Sequence, residues 1–185
     1  MMTPAEYVQL KAFARIDGLL LSLFWIGGFA CSVVGLTNPN WSLVALILVL
    51  SSPFFMARRL RLFRDEAREG TISFLRGWAY VILAFFYAGL LFALAQYAYL
   101  AFLDHGYLFQ TIISSMQTPE AEAVIKQYGM GDMVSESIHE MQRLRPIDIA
   151  LNMLTTNIMI GVVVGVPIAA VMKSSVLRAD NNQDA

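Results

Sequence analysis

Residues 74–102 read FLRGWAYVILAFFYAGLLFALAQYAYLAF, and beyond Arg76 this run has no charge and one strongly polar side chain, Gln96. At about 1.5 Å per helical residue it is long enough to cross the roughly 30 Å hydrocarbon layer of a bilayer, which takes about 20 mostly apolar residues. Lipid offers the backbone no hydrogen-bond partners, so a crossing segment of this kind reads as helix. Three further runs repeat the pattern. Gly18–Leu36 contains no charge and follows Lys11, Arg15 and Asp17. Trp41–Ala57 is shorter, carries Pro53, and ends at Arg58 and Arg59, whose aliphatic stems can snorkel along the span. Ile147–Met172 begins after Pro146, contains Pro167, is apolar from Ile158 onward, and is closed by Lys173. Prolines of this kind are tolerated in membrane helices.

Spans at 18–36, 41–57, 74–102 and 147–172 make the chain an all-α, polytopic integral membrane protein. The expected architecture is a four-transmembrane-helix bundle with a short helical extracytoplasmic insertion over 103–146. Composition agrees: 57% of residues are apolar and 15% charged, against about 25% charged in a soluble domain. A formal charge of −1 excludes a clustered positive excess for nucleic acid. One cysteine leaves no internal disulfide. Residues 1–178 are expected to form a single membrane domain and 179–185 a disordered tail.

Orientation follows from lysine and arginine, which are enriched in cytoplasmic loops. The connection after the first span, Thr37-Asn38-Pro39-Asn40, is an uncharged tight turn. The connection from Arg58 to Gly70, with Arg76 beyond it, holds Arg58, Arg59, Arg61, Arg64, Arg68 and Arg76 and is placed inside. Both ends of the chain then lie inside as well, and ten of the thirteen basic residues fall on that side. At this junction Asp65, Glu66 and Glu69 are expected to pair with Arg61, Arg68 or Arg58. Gly70 should end one helix, with Thr71 or Ser73 capping the next. The junction suits anionic lipid headgroups or a docking partner.

In the 103–146 segment, Leu108, Ile112, Ile113 and Met116 recur at helical spacing and read as an extension of the third helix. Thr118-Pro119-Glu120 reads as a cap followed by proline at the first helical position. Gly129 and Gly131 break that helix, and Val134, Ile138 and Met141 mark another. Two short helices, packed over the membrane helices, are expected to form a small lid.

The chemistry-bearing residues are sparse. Glu136 and His139 have the i, i+3 spacing of helical metal sites but lack the further carboxylates such centres need, and His139-Glu140 is followed by Arg143 where a zinc-protease motif needs histidine. Asp104-His105 reads as an interfacial polar pair. No catalytic, cofactor or metal residue is assigned. The first three spans carry no ionisable group in their apolar interiors, whereas Asp148, Asn152, Thr155, Thr156 and Asn157 make the first half of the fourth polar. Gln96, Asn152, Thr156 and Asn157 are therefore the candidates for a polar cavity. Small residues form two close-approach stripes, Gly27, Cys31 and Gly35 on the first span and Gly161, Gly165 and Ala169 on the fourth, expected to meet each other or a second subunit.

Leu62-Phe63-Arg64-Asp65-Glu66, then Gly70-Thr71-Ile72-Ser73-Phe74 and Arg76-Gly77, is more particular than a basic loop. With Tyr97, Tyr99, Phe102 and Asp104, a helical segment over 107–145, and Gly161 and Gly165 in the last helix, the chain resembles the domain-of-unknown-function 4199 family of small bacterial four-span membrane proteins. His105 stands where that pattern has proline. The resemblance implies inner-membrane residence and no assigned activity. The resulting expectation is a non-enzymatic accessory or scaffold subunit acting through helix contacts, with membrane lipids and a homo-oligomeric or membrane-protein partner. The alternative is a small oligomeric transporter or channel for an uncharged or weakly polar solute.

In a Cys31→Ser background, an impermeant thiol reagent applied from outside the inner membrane should label Ser135→Cys and leave Arg61→Cys untouched. The reverse pattern would invert the orientation.

Overall fold

The computed structural model describes residues 3–173, so the tail expected at 179–185 lies outside the described residues. Seven helices follow one another: α1 Pro4–Gly35, α2 Pro39–Ala67, α3 Phe74–Phe102, α4 Tyr107–Met116, α5 Pro119–Gln127, α6 Gly131–Arg143 and α7 Pro146–Met172. The described chain divides into two compact units, 3–93 with 152–173, and 94–151.

Local chemistry sets the helix starts. Thr3 and Glu6 form a reciprocal capping box ahead of Pro4, Asn38 accepts from the Asn40 N–H ahead of Pro39, and Thr118 accepts from the Ala121 N–H ahead of Pro119. Each proline stands where its missing N–H is no loss. Before α7, the Asp148 carboxylate accepts from the Arg145 backbone N–H at 3.2 Å and from its guanidinium at 2.8 Å.

One connection differs from expectation and one agrees with it. α2 runs through the arginines to Ala67, and Gly70, at φ 78° with its N–H on the Arg64 carbonyl at 3.0 Å, ends it as expected. Met56, Leu60 and Phe63 are spaced four and three apart and all are buried, so the helix continues because its apolar stripe does. The segment after α3 is not an extension of that helix. His105 at φ 48° and Gly106 at φ 85° turn the chain through the left-handed region, and α4 begins afresh. The second unit accordingly holds three short helices, α4, α5 and α6, which touch pairwise. Ile112, Met116, Ile125, Val134, Ile138 and Met141 are half-buried there.

In the first unit the core is built from Leu10, Ala14 and Leu21 of α1, Met56, Leu60 and Phe63 of α2, Tyr80, Val81, Ala84 and Phe85 of α3, and Ile168 of α7. The two small-residue stripes do not meet each other. On α1, Gly35 abuts Ser42 and a Cβ at Gly27 would meet Leu48 Cδ1 at 3.9 Å, so both glycines of that stripe face α2. On α7, a Cβ at Gly161 would lie 2.5 Å from Phe85 Cβ, and one at Gly165 would lie 2.9 Å from Trp78 Cδ1. Ala169 fits against Gly77 in the same way. The fourth span therefore seats its glycine face on α3, and the Trp78 indole N–H donates to the Val162 carbonyl at 3.0 Å across that contact.

Gly161→Ala should destabilise the bundle by about 1–3 kcal/mol through overpacking against Phe85. Gly27→Ala meets only Leu48 Cδ1 at 3.9 Å, and should leave stability unchanged or slightly raised, since alanine is the better helix former. Thermal melts of the detergent-solubilised variants check both, and equal melts would remove the close-packing account of Gly161.

Candidate functional site

Asp17 lies on the α1 face that also carries Leu10, Ala14 and Leu21, and it is 1% exposed. A carboxylate there without partners would face a desolvation penalty of several kcal/mol, the cost of an unpaired buried charge. Two neighbouring helices prevent this. Arg59 of α2 reaches Asp17 Oδ1 with Nε at 2.6 Å and Nη2 at 2.5 Å. The Tyr80 hydroxyl of α3 donates to Oδ2. Both carboxylate oxygens are thus held, each from a different helix. Phe63 stacks on the Tyr80 ring at 4.8 Å and packs on Phe13 at 5.2 Å, while Arg59 keeps 28% of its side chain exposed. At the next residue, Gly18 lets α1 approach α3 so closely that a Cβ would sit 2.7 Å from the Ala84 carbonyl oxygen.

A second cluster lies along the part of α1 that precedes its apolar run. Glu6 Oε1 accepts from Arg68 at 2.8 Å and Oε2 from Arg76 at 3.0 Å, so one carboxylate ties α1 to the α2–α3 turn and to α3. Its own Oε2 also accepts from the Thr3 N–H at 2.8 Å. The Thr3 N–H, the hydrogen bond from Arg68, and the nearby guanidinium charges hold the Glu6 carboxyl far below its ordinary 4.5, at about 2. Arg64 completes the end of the bundle: it bonds Asp65 at 2.7 Å and donates to the Met172 carbonyl at 3.2 Å, closing the C-terminus of α7. The pairing of the junction therefore agrees with expectation at Asp65–Arg61 and differs at Arg68. Asp65 takes Arg64 and, at 3.6 Å, Arg61, while Arg68 serves Glu6. Arg58 is exposed. Thr71 donates to the Arg68 carbonyl within the turn, and the Gly77 N–H bonds the Ser73 carbonyl as α3 begins.

The sequence missed Asp17, which it placed just outside the first span. Its position four and seven residues from Leu21 and Leu10 was the available signal: a charge in register with an apolar stripe is a buried charge.

The residues read as a polar cavity separate. Asn152 and Thr156 are exposed and bond each other at 3.4 Å. Asn157 is buried and faces α3, where a Cβ on Gly89 would lie 3.4 Å from Asn157 Cβ. Neighbours on a helix point about 100° apart, and here Thr156 is exposed while Asn157 is turned in. Gln96 is buried in the second unit at 3% exposure. The other candidates have local roles: Asp104 accepts from the Leu108 N–H at 3.0 Å, starting α4, and the His105 ring nitrogen meets the Leu103 carbonyl. Glu136 and His139 are exposed on α6. Among the described residues no three His, Cys, Asp or Glu side chains are grouped as metal ligands.

Helices α1, α2, α3 and α7 each have the length and composition to cross a membrane. With α1, α2 and α3 joined by paired charges and α7 by its glycine face, they define a polytopic helix-bundle membrane protein. The family described as "Protein of unknown function (DUF4199)" matches residues 17–174, and the chain belongs to it. No curated protein and no solved structure matches.

Removing Arg59 alone, as Arg59→Leu, should cost about 3–5 kcal/mol because it strands a buried carboxylate. Tyr80→Phe should cost about 1–3 kcal/mol, the price of one unmet acceptor. Asp17→Leu combined with Arg59→Leu should recover much of the loss. Thermal unfolding of the three variants tests this order, and a double variant worse than Arg59→Leu alone would contradict it.

Proposed function

We propose that the protein is a non-enzymatic subunit of the bacterial inner membrane, an accessory or scaffold component that acts through helix contacts. The observation that carries this reading is the Asp17 site. The most reactive group in the bundle interior is fully engaged by Arg59 and Tyr80, and so serves to hold three helices in place. A rigid frame with exposed apolar helix faces is what a contact-making subunit needs.

The arginine-rich end is assigned to the cytoplasmic side, against anionic headgroups. Support comes from two exposed stripes that turn from apolar to basic along their helices. On α1, Leu23 and Leu19 lead to Arg15 and Lys11; on α2, Leu50 and Phe54 lead to Arg58 and Arg61. Such stripes match acyl chains followed by lipid phosphates.

A small oligomeric transporter for a weakly polar solute is the second reading, drawn from two buried atoms. Asn157 Nδ2 and Gln96 Oε1 have no hydrogen-bond partner among the described residues, and a solute or water could supply one.

Native mass spectrometry of particles extracted from the bacterial inner membrane in a mild detergent or polymer disc tests the first reading. A reproducible second protein in fixed stoichiometry is expected. Particles containing only this chain would remove the scaffold reading and favour the transporter.

A further inference from the structure

The Glu6 carboxylate engages only part of the Arg68 guanidinium. Arg68 Nη1 donates to Glu6 Oε1 at 2.8 Å, whereas Nε, closed off from solvent, has no hydrogen-bond partner among the described residues. Glu6 has little left to give it, since Oε1 takes Arg68 Nη1 and Oε2 takes both Arg76 Nη2 and the Thr3 N–H. Beside these groups lies a cavity of about 10 Å³ lined by Glu6, Leu10, Phe63, Arg68, Ile72 and Arg76. Leu10, Phe63 and Ile72 are buried, and their side chains offer no acceptor. The cavity thus has an apolar floor, a charged rim, and a buried donor that the protein does not meet.

Buried donors are nearly always met by protein, water or ligand, and the chemistry of the cavity narrows the choice. A guanidinium only donates, so the occupant is an acceptor. One carboxylate stands between two guanidiniums, which leaves one positive charge over and favours an anion. The volume admits about one oxygen-sized atom, so a larger occupant inserts a single oxygen and keeps its remainder at the rim, where the Arg68, Arg76 and Glu6 side chains are 19–25% exposed. A phosphoryl group satisfies all three conditions. Its oxygens are tetrahedral, so that one can enter while others face guanidiniums arriving from the α2–α3 turn and from α3, and arginine is well matched to them. Water would meet the donor and leave the charge.

We propose that the cavity between Glu6, Arg68 and Arg76 is a phosphate site, in which one phosphoryl oxygen accepts from Arg68 Nε and the others face the two guanidiniums. Glu6 holds both arginines in place and, as a like charge, limits the affinity. The site uses none of the residues in the exposed basic stripes of α1 and α2, and it does not rest on the scaffold reading.

The phosphoryl group belongs either to a phospholipid or to a soluble phosphate, and two probes separate these. The full chain in a maltoside detergent, which contains no phosphate, is titrated with inorganic phosphate by calorimetry and with phosphatidylglycerol by native mass spectrometry. Saturable binding of one equivalent of the lipid, or of inorganic phosphate, upholds the site and assigns the source. Affinity should fall roughly tenfold or more in Arg68→Gln, and at least about threefold in Arg68→Lys, which keeps the charge without the Nε–H. It should rise about three- to tenfold in Glu6→Gln. Arg143→Gln, the same change of charge at an exposed position on α6, should leave it unaltered. Arg68→Gln and Glu6→Gln break the same ion pair, so a purely structural role would move both in one direction, whereas a phosphate site moves them oppositely. Circular dichroism checks that each variant is folded, and Arg68→Lys carries the test if Arg68→Gln is not. Saturable binding of neither probe, an equal loss in Arg143→Gln, or weaker binding in Glu6→Gln would each overturn the proposal.

Discussion

A carboxylate with 1% exposure inside an apolar bundle constrains everything around it. Asp17 is tolerable only while Arg59 and Tyr80 both reach it, and they come from different helices. The three helices therefore have one relative height at which the charge is satisfied. Hydrophobic packing alone would let α1, α2 and α3 slide, since one apolar surface resembles another and lipid competes for both. The ionic contact has a definite geometry and supplies the register that dispersion does not.

That register explains the uneven helix lengths. α1 begins fourteen residues before its apolar run and α2 continues ten beyond its own, which carries Glu6 to Arg68 and Arg64 to the end of α7. Pairs farther from the apolar interior are more exposed. Asp17 is closed off, Glu6 is half-buried, and the Asp65 side chain is 43% exposed. Their worth should decline in the same order, because water screens an exposed pair to about 0–1 kcal/mol. α7 joins by other means, through two glycines that admit Phe85 and Trp78 and a final carbonyl held by Arg64.

Residue type was a good guide wherever a local property decides the outcome. Thr3, Asn38 and Thr118, each followed by proline, start helices because capping needs only neighbours in sequence. The four spans follow from the length of uncharged runs. The helix end near Gly70 was legible in the glycine, and Leu60 and Phe63 keep the helical stripe intact through the arginines. Leu108 to Met116 misled: its periodicity is helical, and the break before it depends on the backbone angles of His105 and Gly106. The glycine stripes were recognised, but their partners were not, since a small residue declares that something comes close without saying what.

The sequence by itself determined the class of the protein, the number of its spans and their approximate limits, because each depends on the free energy of taking a stretch of chain out of water, and its family, because short motifs such as Gly70-Thr71-Ile72-Ser73-Phe74 carry it. The tertiary structure decided which faces meet, that Asp17 is inside with Arg59 and Tyr80, that Thr156 and Asn157 look different ways, and that α7 keeps one face uncovered. Those outcomes depend on helix rotation and relative height, and the energies that set them come from contacts between residues as far apart as Asp17 and Tyr80, which no local pattern records.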